Sequence, residues 1–212
     1  MTAFTIILPH RRNPGNDAAL KKCLDCLFTN TENEFILIID AAYNEPLYPR
    51  INRLMTQATT EAVVYWSSDI FAAPGWDAPM LELYAPDVFV TSILIEPGVI
   101  GVYPDNIHKD FGRRPETFNR EAFEGYCVNA EMPGGLGWYA PVLYPRTPFL
   151  DMGGLATDLN GDHHGFTGAD MALFDAWKAR GNRIVRARSF AYHLQRWSEP
   201  AEQMDAKREL HA

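Results

Sequence analysis

The chain has 212 residues, enough for one domain whose core needs no disulfide or metal to hold it together. Hydrophobic residues make up 47% of the chain and charged residues 22%, which excludes disordered and collagen-like proteins. The formal net charge of −8 argues against a broad basic surface for duplex DNA or an anionic membrane, although not against a local basic patch. No apolar run is long enough to span a bilayer, and the N-terminal charges follow the first apolar stretch, the reverse of a secretory signal. We therefore expect a soluble, cytoplasmic protein with no membrane span.

Short, continuous apolar runs predict strands that are buried on both faces, as in a parallel sheet. The runs span residues 4–8, 35–39, 62–66 and 88–95. A helix is predicted between the first two runs, capped by Asn16 or Asp17 and ending near Phe28, and a second helix over 49–59. Alternating strands and helices of this kind indicate an α/β fold.

The second half of the chain is less regular. Residues 97–148 are rich in proline and glycine, and 133–141 is their loosest part. A structureless stretch of this length predicts a binding loop or a lid rather than a simple connection. A helix over about 168–180 and a strand near 183–193 follow it, and the polar tail from Ser198 is expected to fray or to form a surface helix.

Cys23 and Cys26 have the spacing of a redox or zinc-binding pair. Cys23 lies on the same face of a predicted helix as Leu20, Leu24 and Leu27, and the chain has no second cysteine pair to complete a four-cysteine zinc site. We therefore interpret both as core cysteines, because free cysteines are commonly buried.

Polar residues follow the apolar runs at the carboxyl ends of the strands, which is where ligands of open α/β sheets bind. These residues are Pro9-His10-Arg11 after the first run, Asp40 after the second, Ser67-Ser68-Asp69 after the third, and His193 at the end of the last strand. Their shared position predicts one polar cleft along a single edge of the sheet. Each also has a simpler explanation, since Asp40 and Asp69 could form turns and His193 could be a core histidine.

Asp170 lies in the first turn of the predicted helix over 168–180. The pattern from Thr167 to Asp170 fits a capping box, which is a purely structural role. Asp170 also shares a helical face with Leu173, Phe174 and Trp177, and that face must pack inward. Its carboxylate is therefore directed toward the sheet or the cleft, where a carboxylate can abstract a proton.

Three segments resemble family-2-type glycosyltransferases of the GT-A fold, which are inverting enzymes that use nucleotide sugars. They are FILIIDAAY, VVYWSSDIFAAPGW and GGLATDLNGDHHGFTGADMALFDAWKARG, and the similarity extends over about residues 3–195. The resemblance implies an α/β fold with a single Rossmann-like layer, a mostly parallel central sheet flanked by helices, and a loop-rich segment on the acceptor side. It implies one domain over 1–197, with a nucleotide-binding half (about 1–96), a catalytic half (about 97–197) and a separate tail (198–212).

The resemblance also assigns roles to the polar residues at the strand ends. It places Asp40 on the nucleobase, Asp69 and His193 on a divalent metal, Asp170 on the acceptor hydroxyl as catalytic base, and Pro9, His10, Arg11, Ser68 and Asp69 around the donor nucleotide. A carboxylate with an imidazole suits Mn²⁺ at least as well as Mg²⁺, so either ion is expected as cofactor. Transfer is expected to proceed with inversion, because that family uses one displacement and one base.

The glycine-rich loop over 134–137 precedes Trp138, an arrangement typical of a lid that closes on a bound donor and stacks on a sugar. We expect Trp138, Gly135 and Gly154 to face the acceptor or to form this lid, with a plain connecting loop as the alternative. The resemblance favours a UDP-sugar as the donor. The acceptor stays open among a glycan, a protein side chain and a hydroxylated nucleobase, and the oligomeric state is open too.

The sequence departs from the family pattern at two positions, and these departures support alternative functions. Ser67 stands where the metal-binding motif has its first acid or Asn, and Ala169 replaces the acid before the expected base. A non-catalytic relative that binds nucleotide sugars or glycans is therefore an alternative. A metal-dependent phosphohydrolase is a further one, although it needs a denser cluster of metal ligands.

Overall fold

The computed structural model describes residues 3–43, 45–98, 105–137, 140–157 and 168–195. The strands in this part of the chain are β1 (Phe4–Arg11), β2 (Phe35–Ala42), β3 (Ala62–Tyr65), β4 (Ile70–Ala72), β5 (Val88–Glu96), β6 (Ile107–His108), β7 (Val142–Pro145) and β8 (Arg183–His193). The helices are α1 (Pro14–Asn30), α2 (Leu47–Gln57), α3 (Asp77–Glu82), α4 (Arg120–Asn129), α5 (Arg146–Asp151) and α6 (Gly168–Ala179). The tail over 198–212 lies outside the described residues.

The strands form one sheet in the order β2-β1-β3-β7-β5-β8-β4, with β6 beside β5. The strand pairings set β1, β2, β3, β5, β6 and β8 in one direction, whereas β4 and β7 run the opposite way. The predicted α/β class with a mostly parallel central sheet is therefore confirmed, and the two reversed strands make the sheet mixed.

Helices cover the central strands, which explains their continuous apolar runs. The chain moves from β1 to β2 through α1 and back past β1 to β3 through α2, so right-handed crossovers place these helices on opposite faces. Residues Phe4–His10 of β1 are all buried as a result. The prediction that the run over 35–39 is buried on both faces was wrong, because β2 lies at the edge of the sheet and its Ile36 and Ile39 side chains are exposed. Cys23 and Cys26 on α1 are buried and free, and burial raises the pKa of the Cys26 thiol to about 11. The prediction of core cysteines is confirmed.

The prediction of a structureless stretch over 97–148 was wrong. Its described part contains β6, α4, β7 and the first half of α5, and β7 lies in the middle of the sheet between β3 and β5. The strand β7 has only four residues and ends in a proline, which makes its apolar run too short to separate from a loop by periodicity. The helix α4 begins where the side chain of Asn119 accepts a hydrogen bond from the backbone of Ala122.

The segment PGWD after β4 has a structural role. Asp77, 1% exposed, accepts hydrogen bonds from the backbone amides of Glu32 (3.0 Å) and Asn33 (2.9 Å) and from the side-chain amide of Asn33 (2.8 Å). The indole of Trp76 donates to the hydroxyl of Thr31 at 2.9 Å. These contacts hold the turn between α1 and β2 in place.

Tyr192 of β8 anchors the segment that follows β6. Its hydroxyl accepts a hydrogen bond from the backbone amide of Phe111 (3.1 Å) and donates one to the carbonyl of Gly112 (2.7 Å). The ring of Phe118 stacks on Tyr192 at a centroid distance of 5.2 Å. The anchored segment therefore packs beside the carboxyl ends of β5 and β8.

Candidate functional site

The common direction of β1, β2, β5 and β8 brings their carboxyl ends to one edge of the sheet. Two clusters form there. The β1–β2 cluster consists of Asp40 and the residues at the end of β1, and Asp40 is the register partner of Pro9. The carboxylate–histidine cluster consists of His193 and the carboxylates around it, and His193 is the register partner of Ile70 at the start of β4. Asp40 is on β2 and His193 is on β8, and the strands β1, β3, β7 and β5 lie between them in the sheet.

In the β1–β2 cluster, Asp40 is bound by two arginines of α2. Its Oδ2 accepts hydrogen bonds from Arg50 Nε at 3.3 Å and Arg53 Nη2 at 2.5 Å. Burial alone would raise the pKa of Asp40, but the hydrogen bonds and charges of Arg53 and Arg50 outweigh it and lower that pKa. The Arg50 side chain, 3% exposed, also donates to the backbone carbonyls of His10 and Asp40. Asp40 therefore ties α2 to the sheet, and any nucleobase there would share the carboxylate with both arginines.

The residues at the end of β1 face in different directions. The side chains of Pro9 and His10 are buried, and His10 Nε2 lies 2.7 Å from Asp17 Oδ1 on the first turn of α1. Arg11 is exposed, and its carbonyl accepts a hydrogen bond from the side chain of Asn16 at 2.8 Å. Of these three candidates, only Arg11 presents a side chain to solvent at the sheet edge.

In the carboxylate–histidine cluster, Asp69 and His193 face each other. Asp69 Oδ2 lies 3.6 Å from His193 Nε2, which is longer than a hydrogen bond, and both side chains are about a quarter exposed. Asp69 Oδ1 accepts a hydrogen bond from Ser67 Oγ at 2.6 Å. Burial alone would raise the pKa of Asp69, but His193 and Ser67 outweigh it and lower that pKa. Ser68 is half-buried beside this pair.

Glu96, the last residue of β5, completes this cluster and was missed by the sequence analysis. Its Oε1 lies 2.7 Å from His193 Nδ1, so the imidazole is held between two carboxylates. Burial alone would lower the pKa of His193, but Asp69 and Glu96 together raise it to about 10. The strand-end rule could have found Glu96, because it directly follows the apolar run over 88–95.

The donor set around His193 is small. Within the described ranges, no group of three or more His, Cys, Asp or Glu side chains has the arrangement of a metal site. Asp69 and His193 offer one carboxylate oxygen and one ring nitrogen to the same partly exposed space. This pair fits a divalent cation whose other ligands come from a bound molecule and water.

Asp170 is buried at the first turn of α6, as its helical face predicted. It is 6% exposed, and the apolar residues on its face are also buried. Burial raises the pKa of Asp170, and hydrogen bonds from the backbone of Met171 and of Asp170 itself oppose the rise without cancelling it. Trp177, near the other end of α6, donates its indole hydrogen to the carbonyl of Arg183 at 2.8 Å. The beginning of α6 therefore points toward the carboxyl edge of β8. Thr167, the proposed cap, lies outside the described residues.

The two candidate glycines sit against polar side chains. A Cβ atom at Gly135, which has a φ of +88°, would collide with the carboxylate of Asp105. A Cβ atom at Gly154, which has a φ of +72°, would collide with Asn52, whose side chain makes two hydrogen bonds to the backbone of Leu155. Packing thus accounts for both glycines. Trp138 lies outside the described residues, so the proposed stacking role of this side chain stays a prediction.

Comparison with known proteins gives a likeness in fold. No protein-family model and no curated protein matches the chain. Among solved structures, it is similar to residues 1–349 of S. aureus TarS, crystallised in complex with UDP, with 12% sequence identity and a TM-score of 0.51. The match covers 92% of this chain and 58% of the TarS chain, so this chain spans little more than half of that structure.

At this level of identity the likeness is informative about the fold. The chain has a Rossmann-like α/β fold similar to that of the TarS structure, with a mixed central sheet flanked by helices. The finer assignment to family 2 stays a prediction. None of the described helices has the length and apolar character needed to cross a lipid bilayer.

Proposed function

We propose that this protein transfers a sugar from a nucleoside-diphosphate sugar to a hydroxyl acceptor, with inversion at the anomeric carbon. The observation that carries the proposal is the pairing of Asp69 and His193 at the carboxyl edge of the sheet. In open α/β sheets this edge is where ligands bind. The TarS structure of similar fold holds UDP, which makes a uridine nucleotide the first donor to test.

The donor would lie along the sheet edge from one cluster to the other. Its base would bind beside Asp40 and the exposed Arg11, and its diphosphate would extend toward Asp69 and His193. Asp69 and His193 would hold a Mn²⁺ or Mg²⁺ ion, which when bound supplies Lewis-acid neutralisation of the leaving diphosphate. Two protein ligands suffice for this arrangement because the diphosphate oxygens are ligands themselves.

Asp170 would act on the acceptor. Its carboxylate accepts the proton of the attacking hydroxyl while the hydroxyl oxygen forms a bond to the anomeric carbon. The bond from that carbon to the phosphate oxygen breaks, and its electron pair leaves with the nucleoside diphosphate. A buried carboxylate with a raised pKa is a stronger base than an exposed one, which suits this step. A single displacement of this kind inverts the configuration.

Calorimetric titration with UDP and with UDP- and GDP-sugars, each with and without Mn²⁺, tests the donor site. We expect Mn²⁺ to strengthen binding to the parent protein and to have no effect on Asp69→Asn, with a partial effect on His193→Gln. Asp175→Asn is the matched control, since Asp175 is 67% exposed and forms an ion pair with Lys178 on the surface of α6. Asp69→Asn binding that still responds to Mn²⁺ as the parent does would contradict the proposal.

Turnover separates the proposal from its alternatives. Release of a nucleoside diphosphate in the presence of mixed glycan, peptide and nucleic-acid hydroxyl acceptors supports sugar transfer. Release of inorganic phosphate supports a phosphohydrolase. Saturable donor binding with no product from any acceptor supports a non-catalytic relative, for which Ser67 and Ala169 are the sequence observations.

A further inference from the structure

Glu96 is a buried carboxylate whose two oxygens are both occupied. The side chain is 4% exposed. Oε1 lies 2.7 Å from His193 Nδ1, within hydrogen-bond distance. Oε2 accepts hydrogen bonds from Asn106 Nδ2 at 2.8 Å and Gln195 Nε2 at 3.3 Å. Contacts from three directions set the position of the Glu96 carboxylate, and that carboxylate in turn sets the plane of the imidazole.

The contact with Glu96 determines which nitrogen of His193 is available. An ionised carboxylate only accepts hydrogen bonds, so Nδ1 must carry the hydrogen that it shares with Glu96. Nε2 is then the nitrogen left to act as a ligand, and it is the one that lies 3.6 Å from Asp69 Oδ2. With its ring rotated, His193 would turn a C–H edge toward Asp69 instead.

We propose that Glu96 is a positioning residue of the sugar-transfer site, which orients His193 so that Nε2 and Asp69 together bind the divalent cation. This inference rests on the proposed function. Carboxylates that accept a hydrogen bond from a metal-binding histidine raise its basicity and fix its tautomer. Glu96 does so from β5, a strand that contributes none of the residues predicted for the site from sequence.

The competing explanation is that Glu96 stabilises the fold and nothing more. Asp77 supplies the matched control, because it is as deeply buried as Glu96 and also accepts three hydrogen bonds, yet its partners are Glu32 and Asn33 in a turn. A structural role predicts that Glu96 and Asp77 variants lose stability without a selective loss of metal binding.

The experiment compares Glu96→Ala, Glu96→Gln and Asp77→Asn with the parent. Mn²⁺ affinity is measured by electron paramagnetic resonance of the free ion, with and without UDP. The Nδ1 proton of His193 is observed by NMR in protein labelled with ¹⁵N-histidine, and it is assigned with His193→Gln. Thermal melting reports the stability of every variant.

We expect Glu96→Ala to bind Mn²⁺ roughly 10- to 100-fold more weakly, as is typical when the hydrogen-bond partner of a ligating histidine is removed. Glu96→Gln should lose less, because its amide oxygen can still accept the Nδ1 hydrogen. Asp77→Asn should keep parental affinity and a parental Nδ1 signal even where its melting temperature falls. If Glu96→Ala proves unfolded, Glu96→Gln against Asp77→Asn makes the same comparison.

Two failures are distinguishable. Parental Mn²⁺ affinity in the Glu96 variants, together with loss of the Nδ1 signal, overturns the positioning role and leaves the proposed function intact. No Mn²⁺ binding by the parent, with or without UDP, overturns the metal site of the proposed function itself and the role of Glu96 with it.

Discussion

Arg186 of β8 and Thr91 of β5 are register partners on neighbouring parallel strands, and both hold the same glycine-rich loop. Arg186 donates hydrogen bonds to the carbonyls of Pro133 at 3.3 Å and Gly134 at 2.6 Å. The Thr91 hydroxyl donates to the carbonyl of Leu136. The loop expected to be a lid is therefore fastened to the sheet at both ends of its described part.

Removing this fastening should open the loop. Arg186→Ala removes the hydrogen bonds that a charged donor makes to the carbonyls of Pro133 and Gly134, a local cost of about 1–3 kcal/mol. The rate of limited proteolysis within 133–137 should rise roughly tenfold or more, because cleavage follows the population of the open loop. Arg183→Ala is the control, since Arg183 lies on the same strand, is 61% exposed and pairs with Asp87. Equal cleavage of the two variants would mean that Arg186 does not hold the loop.

The contacts of Asp40 predict a double effect on stability and donor binding. Asp40→Asn removes the charge that faces the buried Arg50, which should lower the free energy of unfolding by about 1–3 kcal/mol. It should also weaken UDP binding if the base lies beside this carboxylate. Glu45→Gln, at the exposed partner of Arg53, should change stability by no more than about 0.5 kcal/mol. Chemical denaturation and calorimetry on both variants measure these effects. Unchanged UDP affinity in Asp40→Asn would leave Asp40 only a structural role.

Asp170→Asn should separate catalysis from stability. Asparagine cannot accept the acceptor's proton, so kcat should fall by roughly 10² to 10⁴ while donor affinity stays near the parental value. Steady-state kinetics and calorimetry on one preparation measure both quantities. Near-parental turnover would remove Asp170 from the mechanism.

The difference in melting temperature between Asp170→Asn and the parent should depend on pH. Burial raises the pKa of Asp170 in the folded protein, so this residue favours folding most at low pH, and that contribution is lost as the pH rises through the folded pKa. Asparagine resembles the protonated acid at every pH. The melting temperature of Asp170→Asn should therefore exceed that of the parent at pH 7, and the difference should shrink toward pH 4. A variant less stable than the parent at pH 7 would contradict this account of the buried carboxyl.

In the metal-free protein, His193 should stabilise the fold in a pH-dependent way. Its pKa is raised to about 10 in the folded state by Asp69 and Glu96. The stabilisation is therefore complete below the unfolded pKa near 6.5 and is lost as the pH rises through about 10. The unfolding free energy of the parent should exceed that of His193→Gln by an amount that decreases between pH 6.5 and 10, measured with EDTA present. A constant difference across this range would contradict the pairing with two carboxylates.

Elements with a long, regular pattern were predictable from the chain itself. The apolar runs of β1, β3 and β5 needed only local sequence, because strands covered on both faces must be apolar throughout. The run of β2 also indicated a strand, but its place at the edge of the sheet was not readable from the run itself. The inward face of α6, which carries both Asp170 and Trp177, followed from helical periodicity. The reversed strand β7 was missed, because a strand of four residues owes its place to its neighbours β3 and β5 rather than to its own pattern.

The sequence by itself determined the fold class, the common edge on which Asp40, Asp69 and His193 lie, and the burial of Asp170, because each depends on the local alternation of apolar and polar residues. The tertiary structure alone decided what these side chains contact. His193 meets Glu96 across 97 positions of the chain, and Arg50 reaches both Asp40 and the carbonyl of His10 from a separate helix. Such pairings depend on strand order and on the direction of buried side chains, and neither is encoded in any one segment of the sequence.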